Sequence, residues 1–119
     1  MLGALSLAAC TPPATLRPAM TAADSPPRQV LLYRDTLTVT RVDGSLCAGP
    51  ARRAPAAGWS GTMGGCENPP GFTVAPGAAP RRQPRLTLAR INTPPGDQPP
   101  VRITLPGGSN LDYAPASAR

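Results

Sequence analysis

The chain has 119 residues, of which 18 are Pro and 12 are Gly, so these two types make up about a quarter of it. This density of proline excludes long α-helices, because proline removes a helical hydrogen bond and clashes with the preceding turn. All 12 basic residues are Arg, against 6 acidic residues and no His, and the net charge is +6. Without His the chain lacks the usual side chain for proton transfer near neutral pH, which argues against acid–base and Ser-His or Cys-His catalysis.

The N-terminus is a short apolar run that ends in small residues directly before Cys10. Residues 1–9 resemble the end of a bacterial lipoprotein signal peptide, and Leu7, Ala8, Ala9 and Cys10 are similar to its lipobox. The resemblance implies that Cys10 carries a diacylglyceryl group, that the chain is cut before it, and that acyl chains hold the protein on a membrane. The alternative is an ordinary apolar N-terminus with a chance cysteine.

No Lys or Arg precedes the apolar run, as it would in a complete signal peptide, so we expect the true start codon to lie upstream. The run is also too short for a membrane-spanning helix, which needs about 20 apolar residues.

Residues 11–28 combine five prolines with Ala, Thr and Ser and offer little to bury. This composition is typical of an extended, disordered tether. The predicted organisation is therefore a signal peptide at 1–9, a lipidated cysteine and tether at 10–28, a small β domain at 29–113 and a disordered tail at 114–119.

The first strand signals begin at Gln29. Apolar residues of one parity (Leu31, Tyr33, Leu37 and Val39) alternate with polar ones, and Asp35 interrupts them, which predicts either two short strands or one strand with a bulge. A two-residue Asp43-Gly44 turn should follow, with residues 45–47 returning as the second arm of a hairpin.

Further alternating segments occur at 59–63, 72–75, 85–91 and 101–105, and a last one near Leu111 and Tyr113. The loop 93–100 is predicted to join 85–91 and 101–105 as a hairpin. Five or six short strands without helices between them predict an all-β fold, either a small antiparallel meander, a barrel or a sandwich. The predicted core consists of Leu37, Val39, Trp59, Phe72, Leu86, Leu88, Ile103 and Leu105.

The sequence contains three cysteines. In an exported protein a lipidated Cys10 is withdrawn from thiol chemistry, and Cys47 and Cys66 then form a disulfide pair. The alternative is two buried thiols. A zinc site is disfavoured because two cysteines without His leave too few good ligands.

Catalytic motifs are weak. The run 58–61 begins like a nucleophile elbow, but Thr62 stands where its last glycine should be. Asp43 is explained by its turn, and Glu67 by a solvated loop. We therefore predict no catalytic residue, no metal and no cofactor.

The pI near 10.6 indicates attraction to anionic surfaces. The arginines are spread along the sequence and aromatic residues make up only 3% of it, so a nucleic-acid partner is not expected. We expect a lipid-anchored protein of the bacterial cell membrane that faces the periplasm or the exterior. Its expected partners are the membrane, through Cys10, and either an anionic envelope surface or an unidentified envelope protein. Its expected role is non-catalytic binding or structure. The alternatives are an inhibitor or enzyme accessory on the envelope, or a largely disordered Pro/Arg-rich chain.

Overall fold

The computed structural model describes residues 21–116, which form eight β-strands and two single-turn 3-10 helices, Ala22–Asp24 and Pro55–Ala57. No residue in this range is α-helical. The predicted all-β class is confirmed, with eight strands instead of five or six, and the alternative of a largely disordered chain is wrong for this range. The strands are β1 (Gln29–Tyr33), β2 (Thr36–Thr40), β3 (Leu46–Pro50), β4 (Trp59–Thr62), β5 (Gly71–Val74), β6 (Arg85–Ile91), β7 (Val101–Thr104) and β8 (Asn110–Pro115).

The strands form one antiparallel sheet in the order β3-β2-β1-β6-β8-β7-β5-β4. Its two outermost strands approach each other, because Ala48 of β3 and Gly64, just after β4, form an isolated antiparallel bridge. The sheet is therefore a nearly closed barrel, and the buried apolar side chains form one cluster inside it.

The predicted hairpin between β6 and β7 is wrong, because β8 lies between these two strands and pairs with both. Their connection, residues 92–100, is nine residues long and contains four prolines. A loop of this length is not restricted to neighbouring strands and can carry the chain past β8.

The side chains of β1 face the opposite way from the prediction. Val30 and Leu32 are buried, whereas Leu31 and Tyr33 are only half-buried. The reason is the turn between β1 and β2, which places Leu32 directly opposite Leu37, and cross-strand partners share a face. The inward parity therefore changes across the turn. Of the two predicted alternatives, two short strands is the correct one.

The turn between β2 and β3 is one residue longer than predicted. The Arg41 N–H donates to the Ser45 carbonyl and the Gly44 N–H to the Arg41 carbonyl, both at 2.9 Å, so the loop is residues 42–44. Gly44 has a φ of +91°, as a glycine in a three-residue hairpin loop can adopt cheaply. The return strand runs on to Pro50, beyond the predicted arm at 45–47.

The core fills the barrel. Among the eight residues predicted for it, six are buried, while Trp59 and Leu86 are half-buried and pack against the rest. The sequence analysis missed several members that complete the interior, namely Val30, Leu32, Cys47, Met63, Val74, Val101, Leu111 and Tyr113.

The domain is longer than 29–113 at both ends. Strand β8 includes Ala114 and Pro115, which were assigned to the disordered tail. Within the predicted tether, Thr21 caps the turn Ala22–Asp24, and the Arg28 N–H donates to the Thr40 carbonyl at 2.8 Å. Between residues 21 and 116, no helix has the length and apolar character needed to cross a membrane.

Candidate binding site at the basic end of the barrel

Cys47 and Cys66 form a disulfide with a Cα–Cα distance of 5.2 Å, as predicted. Cys47 lies in β3 and Cys66 lies four residues after β4, so the bond links β3 to the segment that follows β4, where the two ends of the strand order meet. Beside it, Ala48 and Gly64 exchange two backbone hydrogen bonds of 2.9 Å. The disulfide therefore lies at the line where the barrel closes, which we call the seam.

A tryptophan also crosses the seam. The indole Nε1–H of Trp59 donates to the carbonyl of Gly49 at 2.9 Å, so Trp59 is anchored as well as packed against the core. Gly49 leaves room for Phe72, since a Cβ atom at Gly49 would lie 2.5 Å from Cε1 of the Phe72 ring. The close approach of the strands at the seam therefore depends on a glycine, a phenylalanine and a tryptophan.

The other predicted site residues are not brought together. The lipobox residues Leu7, Ala8 and Ala9, and the lipidation site Cys10, lie outside the described residues. Ser60 is an exposed residue within β4 and not on a sharp turn before a helix, which a nucleophile elbow would require.

A buried arginine joins the loops 41–45 and 63–70 at one end of the barrel. The Arg41 guanidinium donates to the carbonyls of Glu67 and Asn68, the latter at 2.5 Å, and the Arg41 residue is only 5% exposed. Asp43 accepts hydrogen bonds from the side chain and the backbone N–H of Ser45, which lower the pKa of its carboxyl. The sequence analysis assigned Asp43 to its turn and Glu67 to a solvated loop, and both residues are exposed. Their hydrogen bonds are to residues of these two loops.

Three loops meet at the opposite end of the barrel. They are the Arg34-Asp35 turn, the segment 51–58 and the segment 75–84. The Ala51 N–H donates to the Asp35 carbonyl at 2.7 Å, and the Gly77 N–H donates to the Ala56 carbonyl at 3.1 Å. A longer hydrogen bond of 3.4 Å runs from Nη2 of Arg34 to the carbonyl of Arg82. The three loops therefore form one continuous surface.

This surface is strongly basic. It carries five arginines, and a sixth begins β6 opposite Tyr33 of β1, while Asp35 is the one acidic residue in the three loops. All six are exposed. We call this surface the basic end, and its arginines are Arg34, Arg52, Arg53, Arg81, Arg82 and Arg85.

The basic end contains a shallow cavity of about 330 Å³. Two of its lining residues are Arg34 and Arg81, and the rest are small or apolar: Pro55, Ala56, Gly77, Ala79 and Pro80. Guanidinium groups bind phosphate and carboxylate through paired N–H donors. The cavity therefore offers two cationic lining residues to a small anionic group.

One arginine on the barrel wall is neutralised within the protein. Arg102 and Asp112 form a two-pronged ion pair, with donor–acceptor distances of 2.8 and 3.2 Å. This pairing lowers the pKa of the Asp112 carboxyl and raises that of Arg102. Among residues 21–116, the six arginines of the basic end form no ion pair of this kind, and this contrast identifies the basic end as the candidate functional surface.

The sequence analysis missed the basic end because its arginines are far apart along the chain. A usable signal was present in the hairpin of β4 and β5. Because the arms of a hairpin are antiparallel, the segment before its first strand and the segment after its second must lie at the same end. These segments contain Arg52-Arg53 and Arg81-Arg82, so two pairs of cations had to be neighbours.

Within residues 21–116, no cluster of three or more Cys, Asp or Glu side chains could hold a metal ion. Comparison with protein-family models, curated proteins and solved structures finds no match to this chain.

Proposed function

We propose that this protein is a membrane-anchored lipoprotein of the bacterial cell envelope, whose small β domain has a non-catalytic binding role. The observation that carries the proposal is the disulfide between Cys47 and Cys66. Disulfides form and persist in oxidising compartments, which include the periplasm and the cell surface. The bond uses two of the three cysteines in the sequence, and the third is Cys10 of the lipobox-like motif.

Binding is favoured over catalysis by the residues on the surface. The chain has no His, and the exposed Ser60 lies within a regular strand. By contrast, six exposed arginines share one end of the barrel. We therefore propose that the domain needs no cofactor, and that it acts by holding an anionic partner in the envelope to which its acyl chains attach it.

The anchor is tested by metabolic labelling. The protein is expressed in a bacterium with its complete leader and supplied with labelled palmitate. We expect label on the protein and partition into the detergent phase, and both should be lost in Cys10→Ser. Several acyl chains hold a 12.2 kDa protein on a bilayer because each buried CH₂ contributes about 0.8 kcal/mol.

The matched control is the double variant Cys47→Ser/Cys66→Ser, which removes the other two cysteines and should keep its label. Equal labelling of the wild type and Cys10→Ser would contradict the proposal. Peptide mapping of the wild type without reductant should also recover Cys47 linked to Cys66.

A further inference from the structure

Thr21, where the described chain begins, and the basic end lie at opposite ends of the barrel. Strand β2 begins beside the Arg34-Asp35 turn at the basic end and finishes at the loop 41–45. Thr21, where the described chain starts, lines a cavity with Arg41 and Asp43 of that loop. The described chain therefore begins, at Thr21, at the end of the barrel opposite the basic end.

The kind of partner follows from what the basic end lacks. Stable protein–protein interfaces have an apolar centre with aromatic or aliphatic anchors. Among the described residues, the large apolar side chains that are exposed are Val42 and Leu46, and both lie at the β2–β3 hairpin, at the other end of the barrel. The basic end presents arginine, proline, alanine and glycine, so its attraction to a partner is electrostatic.

A layer of anionic lipid head groups is a surface that attracts basic proteins through charge and needs no apolar anchor. Anionic head groups give a dense array of phosphates, and each nearby Lys or Arg adds about 1 kcal/mol to binding. Five arginines on three adjoining loops and a sixth at the start of β6 match such an array better than they match a single deep ligand site. The cavity between Arg34 and Arg81 is large enough to seat one phosphate group.

We infer that the basic end docks on an anionic lipid surface, and that the cavity between Arg34 and Arg81 seats the phosphate of one head group. The inference deepens the binding role proposed above and rests on it, since an envelope protein meets such surfaces. The basic end is then the side of the barrel that faces the lipid.

The test compares two double variants of equal charge. The full chain carries Cys10→Ser throughout, so that lipidation plays no part and the result is independent of the labelling experiment. One variant is Arg34→Gln/Arg81→Gln, at the cavity. The matched control is Arg28→Gln/Arg90→Gln, which removes two exposed arginines outside the basic end.

Binding is measured at low salt by co-sedimentation with vesicles of phosphatidylcholine containing phosphatidylglycerol, and with vesicles of phosphatidylcholine alone. We expect the reference protein, which carries Cys10→Ser alone, to bind only the anionic vesicles. The cavity variant should bind about thirty-fold more weakly, which is the effect of two lost arginines at the surface. The control should lose less than about three-fold, because its arginines face away from the lipid.

Equal losses in the two variants would overturn the inference, since net charge alone would then explain binding. Equal binding to both kinds of vesicle would overturn it as well. If the cavity variant loses the near-ultraviolet signal of Trp59 together with binding, it has misfolded, and a second variant decides. Arg52→Gln/Arg53→Gln, which lies at the basic end but not in the cavity, should also weaken binding, and unchanged binding of this folded variant would overturn the inference.

A competition experiment separates the lipid head group from free phosphate. Inorganic phosphate should release the reference protein from anionic vesicles at lower ionic strength than sodium chloride does, because phosphate occupies the cavity as well as screening charge. Equal potency of the two salts would refute the seat for phosphate. Binding of inorganic phosphate, seen in the amide resonances of Ala56 and Gly77, without any binding to vesicles would refute the lipid surface.

Discussion

Strand β3 has two neighbours, and it is attached to them in different ways. It pairs with β2 at five positions, from Thr36 opposite Pro50 to Thr40 opposite Leu46, but it meets the β4 side at the single bridge of Ala48 and Gly64. The ladder with β2 consists of backbone hydrogen bonds, which most residue types can make. The seam depends on the Cys47–Cys66 disulfide, on the Trp59 indole and on the absence of a side chain at Gly49, so it requires particular residue types.

The seam stops after one bridge for a simple chemical reason. Residues that bond the same neighbour alternate along a strand, so the position after Ala48 that would bond across the seam is Pro50. Proline has no N–H to donate. The strands separate there, and a cavity of about 240 Å³ opens between them, lined by Pro50, Arg52, Ser60, Gly61, Thr62 and Phe72.

If the seam depends on side chains, loss of the disulfide should have the largest effect of any change to it. Cys47 and Cys66 are 19 residues apart in sequence, and closing a loop of this size restricts the unfolded chain by about 3 kcal/mol. We expect Cys47→Ala/Cys66→Ala to lower the free energy of unfolding by about that amount in urea titration. The control Ser60→Ala, on the exposed face of β4, should change it by less than about 0.5 kcal/mol. A loss below about 1 kcal/mol in the cysteine variant would show that the backbone bridge is sufficient.

The next largest effect is expected at Gly49. An alanine there would place its Cβ against the Phe72 ring, and overpacking of this kind costs about 1 to 3 kcal/mol. Gly64→Ala is the matched control on the other side of the seam, since no atom lies within 4 Å of a Cβ at that position. Thermal unfolding should show a lower Tm for Gly49→Ala and no decrease for Gly64→Ala. Similar decreases in both would mean that the glycines act through backbone flexibility.

The smallest effect concerns the indole. Trp59→Phe keeps an aromatic ring but removes the donor to the Gly49 carbonyl, which should cost about 1 kcal/mol. Amide hydrogen exchange can localise this loss. The amides of Ala48 and Gly64 should exchange faster, whereas those paired between β2 and β3 should change little at early times. A uniform increase across all strands would indicate that the seam and the ladder open together.

The sequence predicted those parts of the fold that depend on local alternation. Strand β6 was predicted with the observed bounds, and β4 and β7 to within one residue, from the alternation of residue types along these segments. The disulfide was predicted from the number of cysteines, because a lipidated Cys10 would leave Cys47 and Cys66 as the pair. The parity of β1 was not, because it is set by the length of a turn, and the position of β8 was not, because a nine-residue loop does not restrict which strands pair. The basic end depends on which loops meet, so it required the strand order.

Thr21 and the arginines of the basic end lie at opposite ends of the barrel. If Cys10 is acylated and the basic end binds lipid, as proposed, the domain is a connector with one contact at each end. If both contacts are made on the same bilayer, the chain before Thr21 must fold back along the barrel. If they are made on two facing layers, the barrel becomes a spacer between them. Residues 11–20 reach about 30 Å when extended at roughly 3 Å per residue, so the length of this segment sets the effective concentration of the arginines at either layer.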